Sequence, residues 1–368
     1  MKRWISIGFV AFIVCISLAG LGRGDEAAEA KPPLEAIAAS DTATQRNADD
    51  WSQDRRLIGL RGAGHWFVGT DVTFLSVDAA TGGRITMSYD NTGTPGTEVS
   101  LLGGYGIENG AGFAPRVWLG RQFNEKWGAA ARFWQLDTYM DKPPSGTVVG
   151  QNFLTLGETG RTKLYTVDLE GIRSFELGKT KFDATFGGRY ASFRADSTMS
   201  AFGVFQSGSY TQLTLSNFTS FEGPGVTYSL TGRRRLGNTP LHAFVSGRGS
   251  NIFGESDGYA RVSGTLAVPP NAPLVGAATV TRNDYDTTAT IAELQIGLEC
   301  EFPLANVPMN VFVRGAFEYQ YWTIANPPVG GAGFGGMLDN FQVNSFSSHT
   351  NQASAQLLGF VLSSGVSW

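Results

Sequence analysis

The ionisable residues of this chain recur at alternate positions of strand-like segments. That spacing puts them on a single face of each segment. Asp168 and Glu170 are two apart, as are Arg233 and Arg235, and Asp183 and Arg189 share a parity further along. Arg248, then Glu293, Glu299 and Glu301, then Arg314 and Glu318 continue the series. Carboxylates and guanidinium groups form strong charge-assisted hydrogen bonds when they meet out of water. Both signs occur in similar number, so these residues can neutralise one another. If they face an enclosed lumen, Asp168, Glu170, Arg189, Arg233, Arg235, Arg248, Glu293, Glu299, Arg314 and Glu318 form either a structural network or a constriction that selects solutes by charge.

Acid–base catalysis has a much poorer basis. The chain has 3 histidines, His65, His242 and His349. His349 shares its stretch of the fold with Asp141, Asp284, Asp286 and Asp339 only by rough location, and no spacing ties them together. No catalytic residue is therefore expected, and the chain reads as a non-enzyme. Asp284 and Asp286 in the run 283–286 have oxygen ligands of the kind Ca²⁺ prefers, but two carboxylates in a connection are usually only hydrated, and no metal is expected. The glycine run 330–336 follows no strand-to-helix unit, so it is not a phosphate cradle. No cofactor is expected.

The elements that must position the charged face are strands. In residues 290–302, Ala292, Leu294, Ile296, Leu298, Cys300 and Phe302 alternate with Glu293, Gln295, Gly297, Glu299 and Glu301. Period-two alternation is the mark of a strand with two unlike faces. The same pattern predicts strands over 66–77, 113–123, 127–140, 163–177, 181–195, 219–236, 241–254, 311–322 and 356–368, ten in all. Short connections of about three to six residues alternate with stretches of about twenty to thirty near 79–110, 141–162, 196–218, 255–288 and 324–354. Such alternation is what an up-and-down transmembrane β-barrel produces, with short periplasmic turns and long extracellular loops. The fold class is thus all-β and antiparallel, with about 10 strands. A further hairpin within the loops, for instance where 84–90 alternates, would make 12.

Low charge supports this class: only 16% of residues are Asp, Glu, Lys or Arg, and net charge is −4, which excludes a nucleic-acid partner. No stretch after the amino terminus has the ~20 apolar residues of a membrane helix. Met1-Lys2-Arg3 followed by an apolar run to Gly20 reads as a signal peptide, 1–30 with the cleavage region. Residues 31–64 are a polar periplasmic lead-in, and 65–368 the barrel. After processing Cys300 is alone, so no internal disulfide is expected. At the carboxyl end Phe360, Leu362, Val366 and Trp368 share a phase. That pattern resembles the terminal signal read by the outer-membrane assembly machinery. The expected location is the outer membrane of a Gram-negative-type cell, and the expected partners are outer-membrane lipid, that machinery and small solutes.

Several segments resemble the family typified by the Legionella major outer-membrane protein, a group of pore-forming barrels. They are 164–171 (Leu164 to Gly171), Phe186-Gly187-Gly188-Arg189-Tyr190-Ala191, Phe221-Glu222-Gly223-Pro224-Gly225, and 247–254 (Gly247 to Gly254). The pair 293–299 and 314–318 completes the order. The resemblance implies porin-like passive transport of small solutes. The ten-strand count points the other way, to a closed structural or surface-recognition barrel acting through its loops, because small barrels have interiors filled by side chains.

Overall fold

A computed structural model describes residues 64–80, 87–91, 94–99, 107–149, 152–204, 210–267, 275–304, 307–325, 336–338, 341–343 and 353–368. The expected signal peptide, the lead-in up to residue 63, His349 and Asp339 lie outside them. The strands begin with β1 (His65–Ala80), β2 (Met87–Asn91), β3 (Thr94–Val99), β4 (Ile107–Gln122) and β5 (Trp127–Val149). They continue with β6 (Asn152–Leu177), β7 (Thr180–Val204), β8 (Tyr210–Arg235), β9 (Leu241–Ala267) and β10 (Val275–Pro303). The last are β11 (Asn310–Ile324), β12 (Gly336–Leu338), β13 (Phe341–Val343) and β14 (Ala353–Ser367).

Ten of these close a barrel in the order β1-β14-β11-β10-β9-β8-β7-β6-β5-β4, and β4 returns to β1. Every pairing is antiparallel, so the fold is the expected up-and-down meander and each of the ten predicted strands is present. Closure is completed at the last residue: Trp368 N–H donates to the Trp66 carbonyl at 3.0 Å and Trp66 N–H to Trp368 at 2.8 Å.

One end of the barrel has tight turns whose chemistry is local. Gly178 adopts φ 62° and Gly237 φ 60°, the left-handed region that glycine enters without strain. The Asn124 side chain accepts from the backbone N–H groups of Lys126 and Trp127, both at 2.9 Å, which folds the β4–β5 connection.

The opposite end differs from expectation. The described residues of the stretches expected as loops, 141–149, 152–162, 196–204, 210–218, 255–267 and 275–288, continue β5 to β10, which reach 23–29 residues each. Their Ser, Thr and Gly content reads as loop. The inward face nevertheless keeps its alternation, with Met199, Ala201, Leu215, Asn217 and Thr219 buried. The outward face carries few large apolar residues there, Phe202, Tyr259 and Tyr285 among them, and a strand that has left lipid has little need of more. Residues 87–91 do form a strand, but β2 pairs with β3 and β13 in a separate four-stranded sheet, β12-β13-β2-β3.

The two faces of the wall are sharply different. Outward lie Phe74, Phe113, Leu119, Leu169, Phe186, Ile296, Leu298, Phe317, Phe360 and Leu362, all large, apolar and exposed, with Leu169 70% accessible. A soluble protein rarely exposes so continuous an apolar belt. Around the wall of a closed barrel it is the lipid-facing band.

Candidate functional site

Inward positions of successive strands divide the lumen into three tiers. Nearest the turns is a polar cavity of about 760 Å³, lined among others by Gln122, Lys126, Asp183, Thr231 and Arg233. Its inner end is a belt of ion pairs. Beyond the belt, toward the long connections, the lumen is filled mainly by apolar side chains, with buried Thr73, Thr138, Thr162 and Thr219 among them.

The belt is built because the even-numbered residues of β6 point inward, in register with the odd-numbered ones of β7. Asp168 therefore lies directly opposite Arg189. Arg189 donates to both Asp168 oxygens, from Nε at 2.6 Å and Nη2 at 2.8 Å, and from Nη1 to Glu293 at 2.5 Å. Glu293 is on β10, three strands further round, so this guanidinium crosses the lumen. Arg248 of β9 crosses in the other direction to Glu170, contacting both oxygens, and adds Asp168 at 3.5 Å and the Thr227 hydroxyl at 3.3 Å. Lower in the same wall Arg314 donates to Glu299 at 2.5 and 2.9 Å and lies 4.5 Å over the Phe244 ring. Arg233 reaches Asp183 at 3.2 Å and Glu299 at 3.7 Å.

Eight of the sequence-selected residues are thus brought together in two clusters: Asp168, Glu170, Arg189, Arg248 and Glu293 in one, and Glu299, Arg314 and Arg233 in the next. Glu318 belongs to a third, whose other members carry no stripe in the sequence. Arg116 of β4 donates to Glu318 at 2.7 Å and to Asp71 of β1 at 3.1 Å. Gln295 donates to the other Glu318 oxygen at 2.9 Å, and Trp118 Nε1 to Asp71 at 3.3 Å. Asp71 and Arg116 are lone charges in strands otherwise apolar or small on the inward face. Each strand alone shows no charged stripe, and only their pairing across β1 and β4 makes one. The signal lies in a charge at an inward parity among Gly, Ala and Trp.

Arg235 is a correction. It shares the parity of Arg233 but lies exposed at the end of β8, where its Nε donates to the Thr239 carbonyl at 2.8 Å within the β8–β9 turn. Two residues of strand are enough to carry it out of the belt. Arg132 of β5 is the reverse case. It lines the cavity opposite Asp168 in register. Both Asp168 oxygens are already engaged by Arg189, and Arg132 makes no ion pair or side-chain hydrogen bond among the described residues.

The apolar tier comprises Leu75, Val77, Ala79, Ala114, Trp134, Leu136, Leu164, Ala191, Phe193, Ala195, Phe221, Ile252, Ala289, Ile291, Trp322, Ile324, Ala353, Ala355 and Leu357. All ten barrel strands contribute to it. Phe193, Phe221, Leu136 and Ile252 are essentially inaccessible, and Trp134 stacks on Trp322 at 5.9 Å from four strands away round the ring. Interiors packed in this way leave few voids the size of a water molecule.

At the carboxyl end, Phe360, Leu362 and Trp368 lie exposed on the outer face, with Val366 of the same phase partly covered. Of the histidines, His65 opens β1 and His242 stands in β9 beside the turns. Asp141, Asp284 and Asp286 are exposed. Among the described residues no group of three or more His, Cys, Asp or Glu is placed to hold a metal ion.

No family model and no curated protein matches the chain. Solved structures do. The outer-membrane protease OmpT of Escherichia coli aligns with TM-score 0.34 and 11% identity, over 82% of this chain and 96% of that one. The neisserial surface protein A aligns with TM-score 0.26 and 10% identity, over 81% and 95%. Ail of Yersinia pestis gives 0.23 and 10%, over 82% and 99%. These are outer-membrane β-barrels, and at such identities the likeness concerns the fold alone. The resemblance to the Legionella family stays a resemblance.

Proposed function

We propose that this protein is an outer-membrane barrel closed to solute flow, which acts at the cell exterior through the raised ends of its strands. The observation that carries this reading is the apolar tier, to which every barrel strand contributes. A hydrated ion or sugar would have to separate Trp134 from Trp322 and open a core of Phe, Leu and Ile side chains. It would also have to part the Arg189–Glu293 and Arg248–Glu170 bridges below. In this reading the signal peptide exports the chain, and the exposed Phe360, Leu362 and Trp368 serve the assembly machinery. The tight turns face the periplasm, and no reaction is catalysed.

Porin-like passage of small solutes is the competing reading, supported by the polar cavity on the turn side and by the ring of charges at its inner end. Planar-bilayer recording separates the two. The folded barrel is expected to give no conductance steps, and discrete steps from wild-type protein would overturn the closed reading. Replacing both Trp134 and Trp322 by Gly is then expected to create steps or flicker, since those two large rings meet from strands four apart round the ring.

A further inference from the structure

On the outer wall, one sector changes character within a few residues. Along β6 the outward positions read Leu169, Val167, Tyr165, Lys163, Arg161, passing from apolar through aromatic to cationic. Tyr165 stacks on Tyr190 of β7 at 6.1 Å, which marks the upper limit of the lipid band in this sector. Directly above that pair, Lys163 lies in register opposite Arg194. Like charges facing one another across a sheet are unfavourable, and the register sets only two carboxylates beside these cations, Asp137 opposite Lys163 and Asp196 opposite Arg161.

These two carboxylates compensate the three cations Lys163, Arg161 and Arg194 only in part. Asp137 is held in a two-pronged bridge by Arg161, at 2.9 and 2.7 Å, and reaches Lys163 only at 3.7 Å. Asp196 gives Arg194 a single contact at 3.3 Å. Arg194 lies 4.7 Å over the Phe218 ring, which holds the guanidinium close to the wall. The Lys163 and Arg194 side chains remain 44% and 54% accessible. A solvated surface pair would be worth at most ~1 kcal/mol and would not select two cations opposite each other. A phosphate between them would.

We propose that Lys163, Arg194 and Arg161 form a binding site for the phosphate of an outer-leaflet lipid headgroup, with Tyr165 and Tyr190 beneath it against the first part of the acyl region. This rests on the reading that the turns face the periplasm, which puts this rung at the outer-leaflet headgroups.

The test uses the folded full-length barrel in detergent, with the heat-modifiable shift in gel migration as the measure of unfolding. Bis-phosphorylated lipid A is expected to raise the wild-type midpoint. The double variant Lys163→Gln/Arg194→Gln is expected to keep its lipid-free midpoint. It should bind the lipid on the order of thirtyfold more weakly, because two basic side chains no longer meet the phosphate. Lys163→Arg should retain binding. Arg173→Gln, an outward arginine at the turn end stacked 4.3 Å over Trp127, should leave it unchanged. Equal shifts in wild type and double variant, or equal shifts with lipid A stripped of its phosphates, would overturn the proposal. So would inorganic phosphate reproducing the whole effect, which would make the site one for free anions. Membrane fractionation of cells reports separately on the location: a barrel found in the outer membrane that fails the lipid test loses only the headgroup site.

Discussion

The belt and the apolar tier are built from neighbouring residues of the same strands, yet they fill the lumen by different physics. In β7, Arg189 belongs to the belt and Ala191, Phe193 and Ala195 to the tier above it. In β10, Ile291 and Glu293 divide in the same way. The tier is non-directional: its side chains exclude water, and moderate changes of shape leave it closed. The belt is directional, because each guanidinium is committed to named oxygens on strands up to three positions away. Breaking one of its members leaves a buried charge without its partner, whereas thinning the tier leaves a cavity. The comparison teaches that the tier fills the lumen by excluding water and the belt fixes which strands face which across it.

The largest expected effect breaks the belt at its centre. Arg189→Met leaves Asp168 and Glu293 facing each other without their shared cation and should cost about 3–5 kcal/mol, read from urea unfolding in detergent or lipid. A smaller loss is expected in the tier. Leu136→Ala should cost about 2–4 kcal/mol through the cavity it leaves, with no conductance, because the remaining strands still fill the section. Equal losses for the two variants would erase the distinction between directional and non-directional closure. The smallest effect belongs to Arg132. Since its register partner is already occupied, Arg132→Gln should change stability by less than about 1 kcal/mol, and a loss as large as that of Arg189 would show that the belt is shared more widely than its hydrogen bonds indicate.

Much of this arrangement is legible in the sequence, and the reasons are particular. The ten strands can be read because each membrane-spanning segment alternates on both faces at once, as at Leu294, Ile296 and Leu298 against Glu293, Gln295 and Glu299. Above the lipid band the outward face carries few apolar residues, so 196–204 and 210–218 read as loop although Met199 and Leu215 are buried there. The belt members on β6, β7, β9, β10 and β11 are legible as charges of one parity. Asp71 and Arg116 are not, because register between β1 and β4 is a property of the closed barrel and neither strand alone carries it. Parity also misplaces Arg235, because alternation tells which face a residue takes and not how far along the axis it sits. The apolar tier escapes for a related reason. Its residues share the parity of the charges, and small or apolar side chains on the supposedly polar face give no separate signal.

The pairing of Trp368 with Trp66 has a consequence in time. The first and last strands of the barrel are neighbours, with Phe67 opposite Ser367, so the ring cannot shut until β14 has been delivered. Contacts so distant in sequence form late and slowly. Until they form, β1 and β14 are two open edges with unpaired backbone groups, the state most prone to pairing with another chain. A carboxyl-terminal truncation of a few residues would therefore act first as a delay. The barrel would linger with an open seam, and its fate would be decided by how quickly that seam meets a partner other than its own first strand.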